Sequence, residues 1–280
     1  MRHLFGIIAV IISASTLAFS QHDYTEPAVS PDGKLLAYCS NKLSQNAIFI
    51  AHIDGTGEKL LIDLEGYEST PNWSPDGQKI CFYLMDKEAH SGLYMIEANG
   101  KNLVNLTKGK LDDPESVRWK SDHELLFSAG TFPNKNIYLL DINSGDIAQL
   151  TQEQGLNYYP DCQQNQLAFC KLSRTTKGIF LKDLESGQVE QLTEQGEAPI
   201  LANDASFILY QGKTGDITGI RKIDLKSKEN TPVTHNAELS ELPDLAPDGK
   251  HLFYQRKING KFSIWRIALD GTDNVRLLGG

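Results

Sequence analysis

The feature that most restricts this chain is a turn sequence that recurs at nearly constant spacing. Ser30-Pro31-Asp32-Gly33 precedes the apolar run Leu35-Leu36-Ala37-Tyr38. Ser74-Pro75-Asp76-Gly77 precedes Ile80-Cys81-Phe82, and Ala246-Pro247-Asp248-Gly249 precedes Leu252-Phe253-Tyr254. Weaker copies at Asp122, Asn165 and Asp204 fill the interval, giving steps of 44, 46, 43, 39 and 44 residues from Asp32 to Asp248. A period in this range marks a chain assembled from one supersecondary unit.

Each copy continues alike. A second apolar run (Ile48-Phe49-Ile50, Leu93-Tyr94-Met95, Ile137-Tyr138-Leu139, Ile179-Phe180-Leu181, Ile264-Trp265-Arg266) leads to a polar turn, with Gly in all but the fifth copy, which carries Lys226-Ser227-Lys228. A short strand follows, often ending in Leu-Thr, as at Leu106-Thr107, Leu150-Thr151 and Leu192-Thr193. Asp-Gly and Asn-Gly supply the positive φ that tight hairpins need, and the flanking runs have strand composition. One copy therefore reads as four antiparallel strands. A lone four-stranded sheet cannot bury both faces, whereas a radial array of them can. The expectation is all-β: a six-bladed β-propeller of four-stranded antiparallel blades, at about 26–66, 67–111, 112–155, 156–196, 197–239 and 240–280. A β-sandwich would need no such period.

The N-terminus reads differently. Met1-Arg2-His3 is positive, Leu4 to Leu17 is apolar or small, and Ala18-Phe19-Ser20 suits a signal peptidase. Residues 1–20 are expected to be a signal peptide, because the run falls short of the roughly 20 residues that span a bilayer. Residues 21–280 then form one domain in the periplasm or outside the cell, with no stable membrane insertion. The net charge of −9 disfavours nucleic acid and favours a basic partner or cations. Export permits disulfides. Cys162 and Cys170 flank a hairpin turn and could pair; the alternative is that Cys39, Cys81, Cys162 and Cys170 are all buried small apolar residues.

Pro71-Asn72-Trp73-Ser74-Pro75-Asp76-Gly77, then an Ile-Cys-Phe strand, Leu93-Tyr94-Met95-Ile96 and Leu106-Thr107, resembles the TolB-type propeller repeat. The resemblance covers nearly the whole mature chain and implies the fold more sharply than any activity. TolB has an α/β domain before its propeller. Here the first repeat starts near Glu26, so that domain's role does not carry over, and a Tol–Pal-like envelope role is only a suggestion. Similar repeats occur in propellers attached to peptidases and in oligogalacturonate lyases.

Chemistry-bearing motifs are sparse. The sequence contains no Gly-x-Ser-x-Gly elbow, no Gly-rich phosphate loop and no closely spaced histidine pair. His123 and His251 read as turn residues, and the aspartates of the Pro-Asp-Gly turns as backbone ligands. The loops entering the innermost strands are more informative, since in a propeller they ring one mouth of the central channel. Counted back from Val29, Trp73, Trp119, Leu201 and Leu245, a glutamate stands three to five residues earlier: Glu26, Glu68, Glu115, Glu197 and Glu241. The fourth copy has Tyr158 and Tyr159 there. Like charges around a low-dielectric opening focus the field on cations or basic segments, with the tyrosines as aromatic anchors. The expectation is a monomeric protein-binding scaffold rather than an enzyme. It has no cofactor, although a cation could sit at the mouth. The alternative is a carbohydrate- or peptide-binding protein, or a lyase-like enzyme, working at the same mouth.

Overall fold

The computed structural model describes residues 22–43, 45–152, 154–235 and 238–279. The stretch read as a signal peptide lies outside them. Among the described residues there are strands and turns but no helix, and hence no helix able to cross a membrane. The chain is a six-bladed β-propeller with four antiparallel strands per blade, and strand order in every sheet follows chain order. Blade 1 is built from Tyr24–Val29, Leu35–Ser40, Ala47–His52 and Lys59–Ile62. The other blades span 66–105, 115–149, 156–191, 197–232 and 240–278.

The turns form for the reasons their sequences suggest. Asp32 Oδ1 accepts from the Ser30 hydroxyl (2.7 Å) and the Lys34 amide (3.1 Å), and Gly33 takes φ +70°. Asp76 and Asp248 repeat the arrangement at Gln78 and Lys250. The Leu-Thr ending is a hydrogen-bonding device. The Thr107, Thr151, Thr193 and Thr234 hydroxyls each accept the amide of the third strand of their own blade, at Leu93, Ile137, Ile179 and Ile220. Thr107 is buried, which gives Asn105-Leu106-Thr107 a structural meaning.

The core is six wedges, one between each pair of neighbouring blades. Ala28, Ile48 and Ile50 of blade 1 meet Trp73, Ile80 and Phe82 of blade 2. Leu126 and Ile137 of blade 3 meet Leu167 and Phe169 of blade 4. Each large apolar side chain so buried contributes about 1.5–3 kcal/mol. In blades 1 to 4 the second and third strands place two aromatic rings opposite each other, with centroids 5.7–5.9 Å apart: Tyr38/Phe49, Phe82/Tyr94, Phe127/Tyr138 and Phe169/Phe180.

Among the described residues, neither end of the chain adds a strand to the other's blade. The strand Val275–Leu278 pairs with Lys261–Ala268 alone, and Tyr24–Val29 pairs with Leu35–Ser40 alone. The seam closes by packing of Leu36, Tyr38 and Phe49 against Phe253, Ile264 and Leu278. Side chains add to this: Asp23 accepts from the Phe262 amide (2.9 Å) and Lys261 Nζ (3.2 Å), and Gln255 Oε1 accepts from the Glu26 amide (3.0 Å).

The cysteines are free and buried, so Cys162 and Cys170 do not pair. The strand register explains this. Cys162 lies opposite Leu167 and Cys170 opposite Tyr158, and they pack in wedges on opposite sides of blade 4.

Candidate functional site

Every innermost strand carries a β-bulge, and the bulged residue takes left-handed φ: Glu26, Thr70, Ser116, Tyr159, Ala198 and Leu242, between +48° and +54°. A ring of six non-glycine residues in this region is unusual backbone, and bulges commonly re-aim side chains at sites. Proline follows in five blades (Pro27, Pro71, Pro160, Pro199, Pro243) and Val117 in the sixth. These rigid residues line a funnel of about 520 Å³, its open mouth included, along the channel axis.

The strand position beyond the prolines brings Asn72, Arg118 and Ile200 to the funnel. Two residues beyond the bulge stand Ala28, Asn72, Arg118, Asp161, Ile200 and Asp244. Arg118 of blade 3 reaches across the ring and donates from Nη1 to Asp244 Oδ1 of blade 6 at 2.9 Å. Burial works against the guanidinium's charge, but Asp244 and Asp161 more than offset this and hold its pKa above the ordinary value. The same layer staples adjacent blades. Asn72 accepts the Trp119 amide (3.0 Å), Asp161 the Leu201 amide (2.7 Å) and Asp244 Oδ2 the Val29 amide (2.8 Å). Asp244 thus serves as counter-ion across the channel and as the polar bond between last and first blades. Burial pushes the Asp161 carboxyl up, opposed by Arg118.

The five sequence-selected glutamates do not share one position. Glu115, Glu197 and Glu241 immediately precede the bulged residue, Glu26 is itself that residue, and Glu68 stands one place earlier than the first three. Side chains alternate along a strand, so a one-residue offset changes where each points. Glu68 is fully buried rather than on the rim. Its Oε1 accepts the Leu64 amide, Oε2 has no partner among the described residues, and burial pushes its pKa up to about 7. Glu26 turns toward blade 2 and accepts from the Ser69 hydroxyl (3.1 Å) and the Thr70 amide (2.5 Å); burial raises its pKa against those bonds. Glu115 is ion-paired with Lys135 at 2.8 Å, together with Asp113, and Glu241 accepts from Gln255 Nε2 at 3.1 Å. Glu197 is exposed.

Tyr159 lines the funnel, its ring lies 5.2 Å from that of Tyr158, and its phenol is pushed up by burial and then by the charges of Glu26, Glu197 and Glu115. Sequence reasoning missed the Arg118–Asp244 tie and the proline wall. Five X-Pro pairs at blade spacing were the available signal for the wall; nothing in the sequence pairs residues 126 positions apart.

The profile of the TolB beta propeller domain matches residues 12–210 and 119–280. The chain belongs to the TolB β-propeller family. Among curated relatives of this TolB-type propeller, dipeptidyl-peptidase 5 of Porphyromonas gingivalis is 34% identical over 141 residues, 45% of this chain and 20% of that protein. The protein TolB homolog of Chlorobaculum tepidum is 34% identical over 83 residues, 30% of this chain and 19% of that protein. The aligned stretches thus span about one fifth of these relatives. TolB from Acinetobacter baumannii superposes with a TM-score of 0.75 at 17% identity, over 93% of this chain and 64% of its own, a likeness of fold. Among the described residues no three His, Cys, Asp or Glu side chains are grouped so as to hold a metal ion.

Proposed function

We propose that this TolB-type propeller is an exported protein-binding scaffold of the cell envelope, and that a projecting segment of its partner enters the funnel. The observation that carries the reading is the funnel itself: a rigid proline wall with Glu26 and Tyr159 in its lining, the Tyr158 ring lying 5.2 Å from that of Tyr159. Concave, mainly apolar pockets with a few convergent polar groups are the usual form of a binding site, and aromatic side chains are the usual anchors of a protein interface. The segment would present an apolar tip to the prolines and a basic residue to Glu197 and the rim. Glu68 is not part of this surface, and Glu26 serves it from a partly buried place. The N-terminal apolar stretch and the TolB homolog among the relatives support export.

The test is a pull-down of envelope proteins by residues 21–280 at low and moderate salt, with wild type, Tyr159→Ala and Glu197→Gln. A protein retained by wild type and lost from both variants is the expected result. A partner held equally by all three would keep the scaffold and reject the funnel. Capture of nothing at either salt would overturn the scaffold in favour of a small-ligand role. Export is checked by fractionation, with Gln21 expected as the new N-terminus.

A further inference from the structure

Six of the seven Asx-Gly pairs in this chain are held in one way. They are Asp32-Gly33, Asp54-Gly55, Asp76-Gly77, Asn99-Gly100, Asp248-Gly249 and Asp270-Gly271. In each, the side-chain oxygen accepts the amide two residues on, at 2.8–3.1 Å. The glycine amide in turn donates to the carbonyl three residues back, at 2.8–2.9 Å. Both groups of the pair are thus tied.

Asn259-Gly260 is the exception. It forms the two-residue tip of the hairpin between His251–Ile258 and Lys261–Ala268, beyond the last ladder pair, Ile258 with Lys261. Asn259 and Gly260 take φ of +51° and +82°, as a tight hairpin turn requires. Among the described residues, no hydrogen bond engages the Gly260 amide or the Asn259 carboxamide. Both residues are exposed, and a Cβ at Gly260 would meet nothing within 4 Å. Neither bonding nor packing holds the tip against rotation.

An asparagine followed by glycine carries its own electrophile and nucleophile. The glycine amide gives its proton to hydroxide, and its nitrogen attacks the asparagine Cγ. The N–Cγ bond forms, the Cγ–Nδ2 bond breaks, and the nitrogen departs as ammonia with a proton from water. The resulting succinimide is opened by a second water at either carbonyl, to aspartate or isoaspartate. Glycine permits the approach because no Cβ obstructs it. A fold suppresses the reaction by holding either group. At Asn99 it holds both, and Nδ2 also donates to Glu97 Oε2 at 2.9 Å; at Asn259 it holds neither.

We propose that Asn259 is a site of spontaneous deamidation, singled out by the fold from the chain's two Asn-Gly pairs. The product places a carboxylate between Lys257 and Lys261, and Lys261 already pairs with Asp23 across the seam at 3.2 Å. Isoaspartate also lengthens the turn by one backbone atom. The charge of the blade 6 hairpin therefore changes with time beside the point where the ring closes.

The experiment holds the mature chain, residues 21–280, at 37 °C at pH 7.4 and pH 8.4. Samples are taken over weeks for peptide mapping by mass spectrometry and for labelling by an isoaspartyl methyltransferase. A tied pair reacts only through local opening, so Asn259 should deamidate at least about tenfold faster than Asn99. The rate should rise with pH, and isoaspartate should appear in the peptide containing residue 259. In denaturing urea the two sites should converge, since the bonds that protect Asn99 are gone. Gly260→Ala should slow the reaction at 259 and leave Asn99 unchanged. Equal rates at the two sites in the native protein would overturn the proposal. So would a preference for Asn259 that persists undiminished in urea, because sequence rather than fold would then select the site. A mass gain at 259 without isoaspartate, or one unaffected by Gly260→Ala, would reject the succinimide route.

Discussion

Asp244 is the residue whose loss should cost the ring most. Asp244→Asn keeps an oxygen for the Val29 amide and removes only the charge facing Arg118. Removing one partner of a buried ion pair costs about 3–5 kcal/mol, because the other charge is left uncompensated. Here the cost is smaller. The Arg118 side chain retains 25% of its exposure, and Asp161 still acts on it, which brings the expected loss to about 2 kcal/mol. For a chain of this size that is a fall in Tm of about 4–8 °C. Thermal and urea unfolding of Asp244→Asn, Arg118→Gln and the double variant would measure it. The double variant should lose about 1 kcal/mol less than the sum of the singles, since each single strands the other's charge. Raising salt should lower this cost only modestly, because Asp244 keeps just 10% of its side-chain exposure. A shift below 1 °C for Asp244→Asn, or strict additivity in the cycle, would refute the view that a cross-channel ion pair holds the ring.

Further expectations follow from the buried acids and the seam. Burial raises the Glu68 carboxyl to about 7, above its unfolded value, so the folded state binds the extra proton and stability should fall as pH rises from about 5 to 8. Glu68→Gln should flatten that slope and raise stability at pH 8 by roughly 2 kcal/mol, read from urea midpoints; a slope unchanged by the substitution would dismiss the assignment. Burial pushes the Cys162 thiol to about 11 and Cys170 to about 12, so a thiol reagent at pH 8 should label none of the four cysteines in the native protein and all four in denaturant. Asp23→Ala removes the acceptor of the Phe262 amide and Lys261 at the seam and should cost about 1–2 kcal/mol by thermal unfolding, whereas Asp32→Ala, in a solvated turn, should cost less.

The fold was legible because its signals are local. Asp-Gly turns, apolar strand runs and Leu-Thr endings each report on residues within one blade, and six imperfect copies corroborate one another. The amide-to-hydroxyl bonds accepted by Thr107, Thr151 and Thr193, and by Thr234 after Val233, show what the Leu-Thr ending contributes, although the sequence offers it only as a recurrence. The mouth was legible in place and blurred in detail. Glu68, Glu115 and Glu26 look interchangeable when counted back from the strand end. The bulge then decides that one is buried beneath a loop, one pairs with Lys135, and one turns into the blade 1–blade 2 interface.

What lay beyond the sequence is what the ring alone creates. Arg118 and Asp244 occupy the same repeat position three blades apart, and only a closed six-membered ring sets them face to face. Repetition explains why such a tie can exist at all. The position is apolar in two blades, where Ala28 and Ile200 pack into the wedges, and polar in the other four, so it holds a charge where the opposite blade supplies its complement. Arg221 departs from the repeat in the same way: it stands opposite Tyr210, where the other blades place a ring. In a repeat protein, departures from the repeat are therefore where contacts that belong to the ring as a whole, such as the Arg118–Asp244 tie, should be sought.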